Sequence, residues 1–247
     1  MLSKELIQEN QYQFPYHHLT YEEGGVFYLF RHLFWGLEHY TYIQYVIQEV
    51  STLHFSRLLD VGCGEGRIIS ELENITSQSE LHGIDISKKA IRFAEAFNNR
   101  STFSVHDITS EPTQDIFDVV ISCEVIEHIE PTMVPAYVSN IAKSLTQGGH
   151  FIVTTPTTNV PVNKKHYQHF TKDMFKDLLA QDFTIEKIVY LNEINILSKL
   201  LSRLIANRFY ISNSKFLNKI VFKIYKNNFL FVGENKGSRI FVHAVKN

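Results

Sequence analysis

From Arg57 onward, short apolar runs alternate with longer segments whose apolar residues return at helical spacing, the sequence form of repeated βα units around a parallel sheet. Residues 58–61, 81–85, 117–121 and 151–154 read as strands, with 102–105 as a short further strand. The first, third and fourth are almost continuously apolar, as expected of strands buried on both faces. Residues 87–98 carry a helical pattern that Ser87 can cap, with Ile91, Ala94 and Phe97 on one face. Residues 133–145 carry another, ended by the Gly148 and Gly149 pair. Beyond Thr171, placed as an N-cap, Met174, Phe175, Leu178 and Leu179 mark a helix, and strands over 184–190 and 239–245 follow. Upstream, residues 21–53 are aromatic and read as helical. The order predicts an α/β fold with helices on both faces of the sheet: residues 1–54 as an N-terminal helical lid and 55–247 as the core, interrupted by an insertion at about 193–236.

Composition narrows the picture. The 247 residues suit one α/β domain with an embellishment, and a hydrophobic share of 44% with 13% aromatic residues is enough to build its core. Lys plus Arg at 24 against Asp plus Glu at 26 gives a net charge of -2, which argues against a chain that is basic overall, as many nucleic-acid binders are. Cys63 and Cys123 fall at buried strand ends, and the first residues lack the apolar stretch of a signal peptide, so a reducing, cytoplasmic setting is expected. No stretch approaches the roughly 18 apolar residues of a membrane-spanning helix.

The segment Leu58 to Arg67 runs a strand into Gly62, Gly64 and Gly66 and then into a helix, a turn in which the backbone can press against a ligand at the strand's carboxyl end. The glycines alone also suit a tight turn with no ligand. Asp85, however, ends the next strand about twenty residues on, where a carboxylate can accept from both ribose hydroxyls, and Asp107 follows the third strand, placed to receive an adenine amino group. A nicotinamide dehydrogenase would need Gly-x-Gly-x-x-Gly, and here the third glycine comes one residue early. Taken together, LLDVGCGEGR, HGIDIS, HDIT, FDVVISCEVIEHI and LTQGGHFIVTTP resemble, in order and spacing, the class I methyltransferase family over about residues 55–190. The resemblance implies a Rossmann-like, mostly parallel sheet with an antiparallel last strand, and S-adenosylmethionine as cofactor. It places Asp60, Gly62, Gly64 and Gly66 near the methionine portion, Asp85 at the ribose, Asp107 with Ile108 at the adenine, and Cys63, Ile86 and Cys123 among the other cofactor-binding residues. Arg31 is a candidate for the cofactor carboxylate.

Glu124, Glu127 and His128 follow the fourth strand at its ligand-binding end. If they open a helix, they stand at i, i+3 and i+4 on one face, able to converge on a divalent cation. His166 and His169 lie past the fifth strand on the same edge. The pattern resembles two families, the small-RNA 2′-O-methyltransferases and the ubiquinone-pathway O-methyltransferases. That likeness implies Glu124, Glu127, His128 and one of His166 or His169, His169 foremost, around Mg²⁺ or Mn²⁺. Two readings stand beside it: base catalysis without metal, in which His128 takes the acceptor proton and Glu127 closes the pocket, and a purely structural role. His128, Glu127, His166 and His169 are the catalytic candidates.

Between Glu193 and Glu234 there is no acidic residue, while Lys199, Arg203, Arg208, Lys215, Lys219, Lys223 and Lys226 are basic. Leu197, Leu200, Leu201, Leu204 and Ile205 follow helical spacing, which gives a basic helix with one apolar face. It either docks on the core with its lysines in water, or meets an anionic membrane surface at its periphery, or meets a phosphorylated acceptor such as RNA. Tyr12, Phe14, Tyr16, His17, His18, Tyr28, Phe30, Phe34 and Trp35 belong either to a lid over the cofactor or to the core. The expectation is O-methylation of a small-molecule, glycan or lipid-linked acceptor. RNA 2′-O-methylation is the runner-up, and a non-catalytic cofactor-binding subunit is the alternative of another class.

Overall fold

The computed structural model describes residues 20–28, 36–76, 78–207 and 209–247. Eight strands form its main sheet in the order β5-β4-β3-β6-β7-β10-β8-β9. The parallel half comprises β3 (Arg57–Val61), β4 (Glu80–Asp85), β5 (Thr102–Val105), β6 (Phe117–Cys123) and β7 (Leu145–Pro156). The last strand, β10 (Gly237–Lys246), inserts antiparallel between β7 and β8 (Phe183–Glu193), and β9 (Phe231–Val232) closes the edge. Sheet and crossover helices thus take the arrangement that the alternating pattern predicts, with the antiparallel strand that the family resemblance implies.

Period-two alternation sorts the strand residues between two layers. Leu59, Val120, Phe151, Val153 and Val242 point into one core with α4 (Val134–Lys143) and α5 (Lys172–Leu179). Leu58, Val119, Ile121, Ile152 and Phe241 point into the other. There they meet α1 (Gly36–Ser51), α2 (Arg67–Glu73) and α3 (Lys88–Phe97). Ser87 caps α3 by accepting from the Ala90 amide, and Thr171 caps α5 by accepting from Met174. A third apolar cluster lies under the insertion, where α6 (Ile196–Ile205) and α7 (Lys215–Phe229) pack on Phe27, Leu37 and Tyr40.

Three local expectations change. Residues 21–28 are not helical: β1 (Tyr21–Glu23) and β2 (Val26–Tyr28) form a hairpin whose turn glycines, Gly24 and Gly25, both take positive φ (61° and 76°), the backbone a tight hairpin requires. The Gly148–Gly149 pair does not lie outside the strand that follows α4. Phe117 pairs with Leu145 and Val119 already with His150, so the pair forms a bulge inside β7. Phe97, expected on the buried face of α3, is exposed in its last turn. Arg31, Arg208 and the aromatic and histidine residues at 12–18, 30, 34 and 35 lie outside the described residues.

His150 on β7 and His243 on β10 face each other with Nδ1 and Nε2 3.0 Å apart, a contact in which one ring donates and the other accepts. Burial lowers the pKa of both imidazoles from the ordinary value, and for His243 the neighbouring His150 adds to this. The unfolded chain protonates both near pH 6.5, the folded chain only at lower pH, so this contribution to stability is present above about 6.5 and is lost as pH falls below it. His243→Gln is therefore expected to flatten the fall in melting temperature between about pH 7.5 and pH 5.5. Parallel melting curves would refute this.

Candidate active site

A cavity of about 1060 Å³ opens at the carboxyl ends of β3, β4 and β6, the ligand side of an open α/β sheet. The turn after β3 forms its floor. Gly62 and Cys63 donate their amides to the Ile84 carbonyl (2.8 and 3.0 Å), drawing the turn onto β4. Gly62, Gly64 and Gly66 take φ of 69°, 55° and 76°, the left-handed region that disfavours side chains. Their roles differ. Gly62 and Gly64 line the cavity, yet a Cβ on Gly62 would overlap a methyl group of Val125 rather than project into open space. Gly66 does not line it: a Cβ there would strike Asn98 and Ala94 of α3, so this glycine serves packing between helix and turn.

Asp85 accepts from the Gly64 amide through Oδ2 (3.0 Å) and from Ser87 through Oδ1 (2.8 Å), tying the glycine turn to the start of α3. Asp60 is buried beside it on the cavity wall, where desolvation and then the Asp85 charge push its carboxyl well above the usual range. Ile86 and Ile108 line the cavity from the ends of β4 and β5, and Cys63 and Cys123 add thiols whose pKa is raised by burial. Asp107 also lines it. Desolvation acts against its ionisation, but hydrogen bonds from Thr109 and Ser110 outweigh this and hold the carboxyl below its ordinary pKa. Its oxygens already accept three bonds from that turn, and a carboxylate's capacity of about four leaves room for one more donor.

Glu124 departs from the helical face expected of it. Its φ is 59°, and only Ile126–His128 form a single 3₁₀ turn, so Glu124 stands before the turn instead of over it. Its carboxylate accepts from Arg239 Nε (2.9 Å) and from Thr154 Oγ1 (3.3 Å). Arg239 also pairs with Glu38 of α1 and lies over the Tyr42 ring, 4.5 Å from its centroid. Sequence reading passed over Arg239, Glu38 and Tyr42, although a lone arginine in the apolar strand RIFVHAV was a usable signal, because a cation in a buried strand requires a counter-charge.

Glu127, His128 and His166 each bring one ligand-type atom to within 4.8 Å of the other two. Glu127 is buried, its Oε2 accepts from Thr155 (3.0 Å), and desolvation followed by the Glu124 charge raises its carboxyl well above the ordinary range. The Glu127 carbonyl accepts from the Tyr167 amide (2.8 Å), which fastens the histidine loop to the turn. Hydrogen bonds assign the tautomers. His128 Nδ1 donates to the Lys165 carbonyl (3.2 Å), which makes Nε2 its acceptor nitrogen. His169 Nδ1 donates to the Val160 carbonyl (2.9 Å), its Nε2 accepts from His166 Nδ1 (2.8 Å), and His166 Nε2 accepts from the Asn163 amide (3.0 Å). Burial, then His128 and His169, lower the His166 pKa to about 3, so the ring is neutral at working pH. Two expectations therefore change: Glu124 is outside this cluster because Arg239 holds it, and His169 stands behind His166 as its orienting partner.

Comparison with known proteins agrees with this fold. Residues 55–219 match a family described as a methyltransferase domain. The chain belongs to this family of methyltransferase domains. It is 33% identical over 123 residues to the ubiquinone biosynthesis O-methyltransferase of Alkalilimnicola ehrlichii, covering 47% of this chain and 48% of that protein. The Vibrio cholerae protein of the same name is 27% identical over 124 residues, covering 48% and 49%. The chain thus matches about half the length of these relatives. In fold it resembles the N-methyltransferase NodS of Bradyrhizobium japonicum, solved with S-adenosyl-L-homocysteine: TM-score 0.57, 16% identity, 85% of this chain and 87% of that one.

The Arg239 network yields a prediction about stability. Arg239→Met leaves Glu124 and Glu38 without their shared counter-charge at a site that is largely buried, so a loss of about 3 kcal/mol is expected. For a chain of this size that is roughly 6 to 12 °C in melting temperature. A variant that melts within about 2 °C of the wild type would show that the network is dispensable.

Proposed function

We propose that this protein methylates a hydroxyl of a small-molecule, glycan or lipid-linked acceptor, with a divalent cation held by Glu127, His128 and His166. The convergence of these three side chains on the wall of the cofactor cavity carries the reading. The O-methyltransferase relatives support the choice of oxygen as the acceptor atom.

The cavity suits a cationic cofactor. Asp60 is a desolvated carboxylate with Asp85 as its charged neighbour, and a positive ligand there would favour the ionised form of Asp60. S-adenosylmethionine supplies a methyl group on a sulfonium, and transfer is an in-line displacement in which the acceptor oxygen bonds the methyl as the carbon–sulfur bond breaks. The chain's task is to hold the two partners in line and to receive the acceptor's proton. Asp85 can take the ribose hydroxyls while keeping Gly64 and Ser87 in place. Where no ion is bound, His128 Nε2, left as the acceptor nitrogen by the Lys165 contact, can take the released proton while Thr155 holds Glu127 Oε2 at the cavity wall.

The residues also fit a metal, but of a different kind from the oxygen-rich site first expected. With Glu124 taken by Arg239, the donors are one carboxylate and two imidazoles, a set that favours Mn²⁺, Fe²⁺, Co²⁺ or Zn²⁺ over Mg²⁺. When bound, such an ion lowers the pKa of a coordinated hydroxyl. His166 is suited to ligation because its ring stays neutral, and ligation through Nε2 exchanges the Asn163 amide for the ion.

Three outcomes are expected. Asp85→Ala should weaken S-adenosylmethionine binding by about 1.5 to 3 kcal/mol, or roughly 10- to 150-fold by calorimetry, and unchanged affinity would remove Asp85 from the cofactor site. Methyl transfer to a vicinal-diol acceptor should stop with chelator and return more fully with Mn²⁺ or Co²⁺ than with Mg²⁺. Glu127→Ala and His166→Ala should abolish it while cofactor affinity changes by less than about tenfold. Full turnover by metal-free enzyme would reject the ion and leave His128 Nε2 as the base.

A further inference from the structure

The α6–α7 insertion divides each of its helices into three sectors. Leu201 and Ile205 of α6, with Val221, Tyr225 and Phe229 of α7, are buried in one cluster with Phe27 and Tyr40. Away from that cluster, α6 exposes Ile196, Leu200 and Leu204 at i, i+4 and i+8, and α7 exposes Phe216, Ile220 and Ile224 at the same spacing. Ile196 and Phe216 are 89% and 77% exposed, and Phe209 in the connection is 79% exposed. The third sector is basic. Lys199 and Arg203 immediately precede Leu200 and Leu204, and Lys215, Lys219 and Lys223 immediately precede Phe216, Ile220 and Ile224, so exposed cations run beside both apolar stripes. No acidic side chain occurs from Ile194 to Gly233.

We propose that this outward face of the α6–α7 hairpin docks on an anionic lipid surface. Bulky side chains standing in water on two adjacent helices form a patch that a soluble chain does not ordinarily expose. The flanking row of cations complements anionic headgroups, while the aliphatic and aromatic stripe enters the boundary between headgroups and acyl chains. An RNA backbone would engage the lysines and Phe216 offers one ring for stacking, but the other five stripe residues, Ile196, Leu200, Leu204, Ile220 and Ile224, offer it neither charge nor a ring. The face also adjoins the catalytic cavity. Ile194 lines that cavity, and the next residue, Asn195, caps α6 by accepting from the Ser198 amide. Docking therefore sets the cavity mouth near the lipid, where a lipid-linked hydroxyl would reach it. The docking itself does not depend on which hydroxyl is methylated or on the metal.

The test is co-sedimentation of the full chain with vesicles of phosphatidylcholine alone or mixed with phosphatidylglycerol, at low and high salt. Binding is expected only to the anionic vesicles, with at least a tenfold loss at high salt. Ile196→Ser with Phe216→Ser, and separately Lys219→Glu with Lys223→Glu, should each reduce it at least tenfold. Their melting temperatures and cofactor affinities should be unchanged, because the altered side chains are solvent-exposed and outside the cavity. Three results would overturn the proposal: no binding to anionic vesicles, binding indifferent to both double variants, or a concentration-dependent dimer that Phe216→Ser dissolves, which would assign the face to a second copy. Salt-sensitive capture of an RNA oligonucleotide in place of vesicles would assign the lysines to nucleic acid.

Discussion

Arg239 reaches from β10, the antiparallel neighbour of β7, to two carboxylates on different elements, Glu124 beyond β6 and Glu38 on α1, with the Tyr42 ring beneath it. Breaking a largely buried set of this kind costs several kcal/mol because each charge has left water for its partners. Its geometric effect is as large. Holding Glu124 fixes the positive-φ residue at which the chain leaves β6, and the next residues wind into the 3₁₀ turn that presents Glu127 and His128 to the cavity. The same guanidinium draws α1 over the cavity, where Glu38, His39 and Tyr42 form one wall. The 3₁₀ turn and the α1 wall of the cavity thus share one electrostatic clasp.

Once Arg239 is committed, the remaining carboxylates of the cavity govern its chemistry. Asp60 and Glu127 are both buried and both resist ionisation, each with an acidic neighbour. Such a cavity is poised for positive ligands, and the proposed reading supplies two, a sulfonium near Asp60 and Asp85 and a divalent cation beside Glu127. The histidines obey a complementary logic. A chain of Nδ1–H donations, from His166 to His169 and from His169 to the Val160 carbonyl, sets each tautomer, and the low His166 pKa keeps that ring neutral.

Much of the fold was legible because strands buried on both faces leave an unmistakable apolar signature, as at Val119, Val120 and Ile121, and because Ser87 and Thr171 announce helix starts through their hydroxyls. Asp85 and the glycine turn were legible for the same local reason, a turn that needs positive φ followed by a carboxylate at the next strand end. What escaped was long-range. Nothing in Glu124 to His128 reveals that an arginine more than a hundred residues away takes the first glutamate and leaves the second to the histidines. Nor does the spacing of His166 and His169 say which ring faces Glu127 and which lies behind it. The hairpin at 21–28 was missed because its aromatic residues obscured the meaning of Gly24 and Gly25.

The central claim, that Glu127, His128 and His166 form one cation site on the cavity wall, is tested most directly by titrating Co²⁺ into the protein and following its visible absorption. A set of two imidazoles and one carboxylate should produce ligand-field bands that saturate at one ion per chain, persist in Glu124→Gln, and disappear in His166→Ala. Bands that are absent from the wild type, or that survive His166→Ala and vanish in Glu124→Gln, would contradict the account.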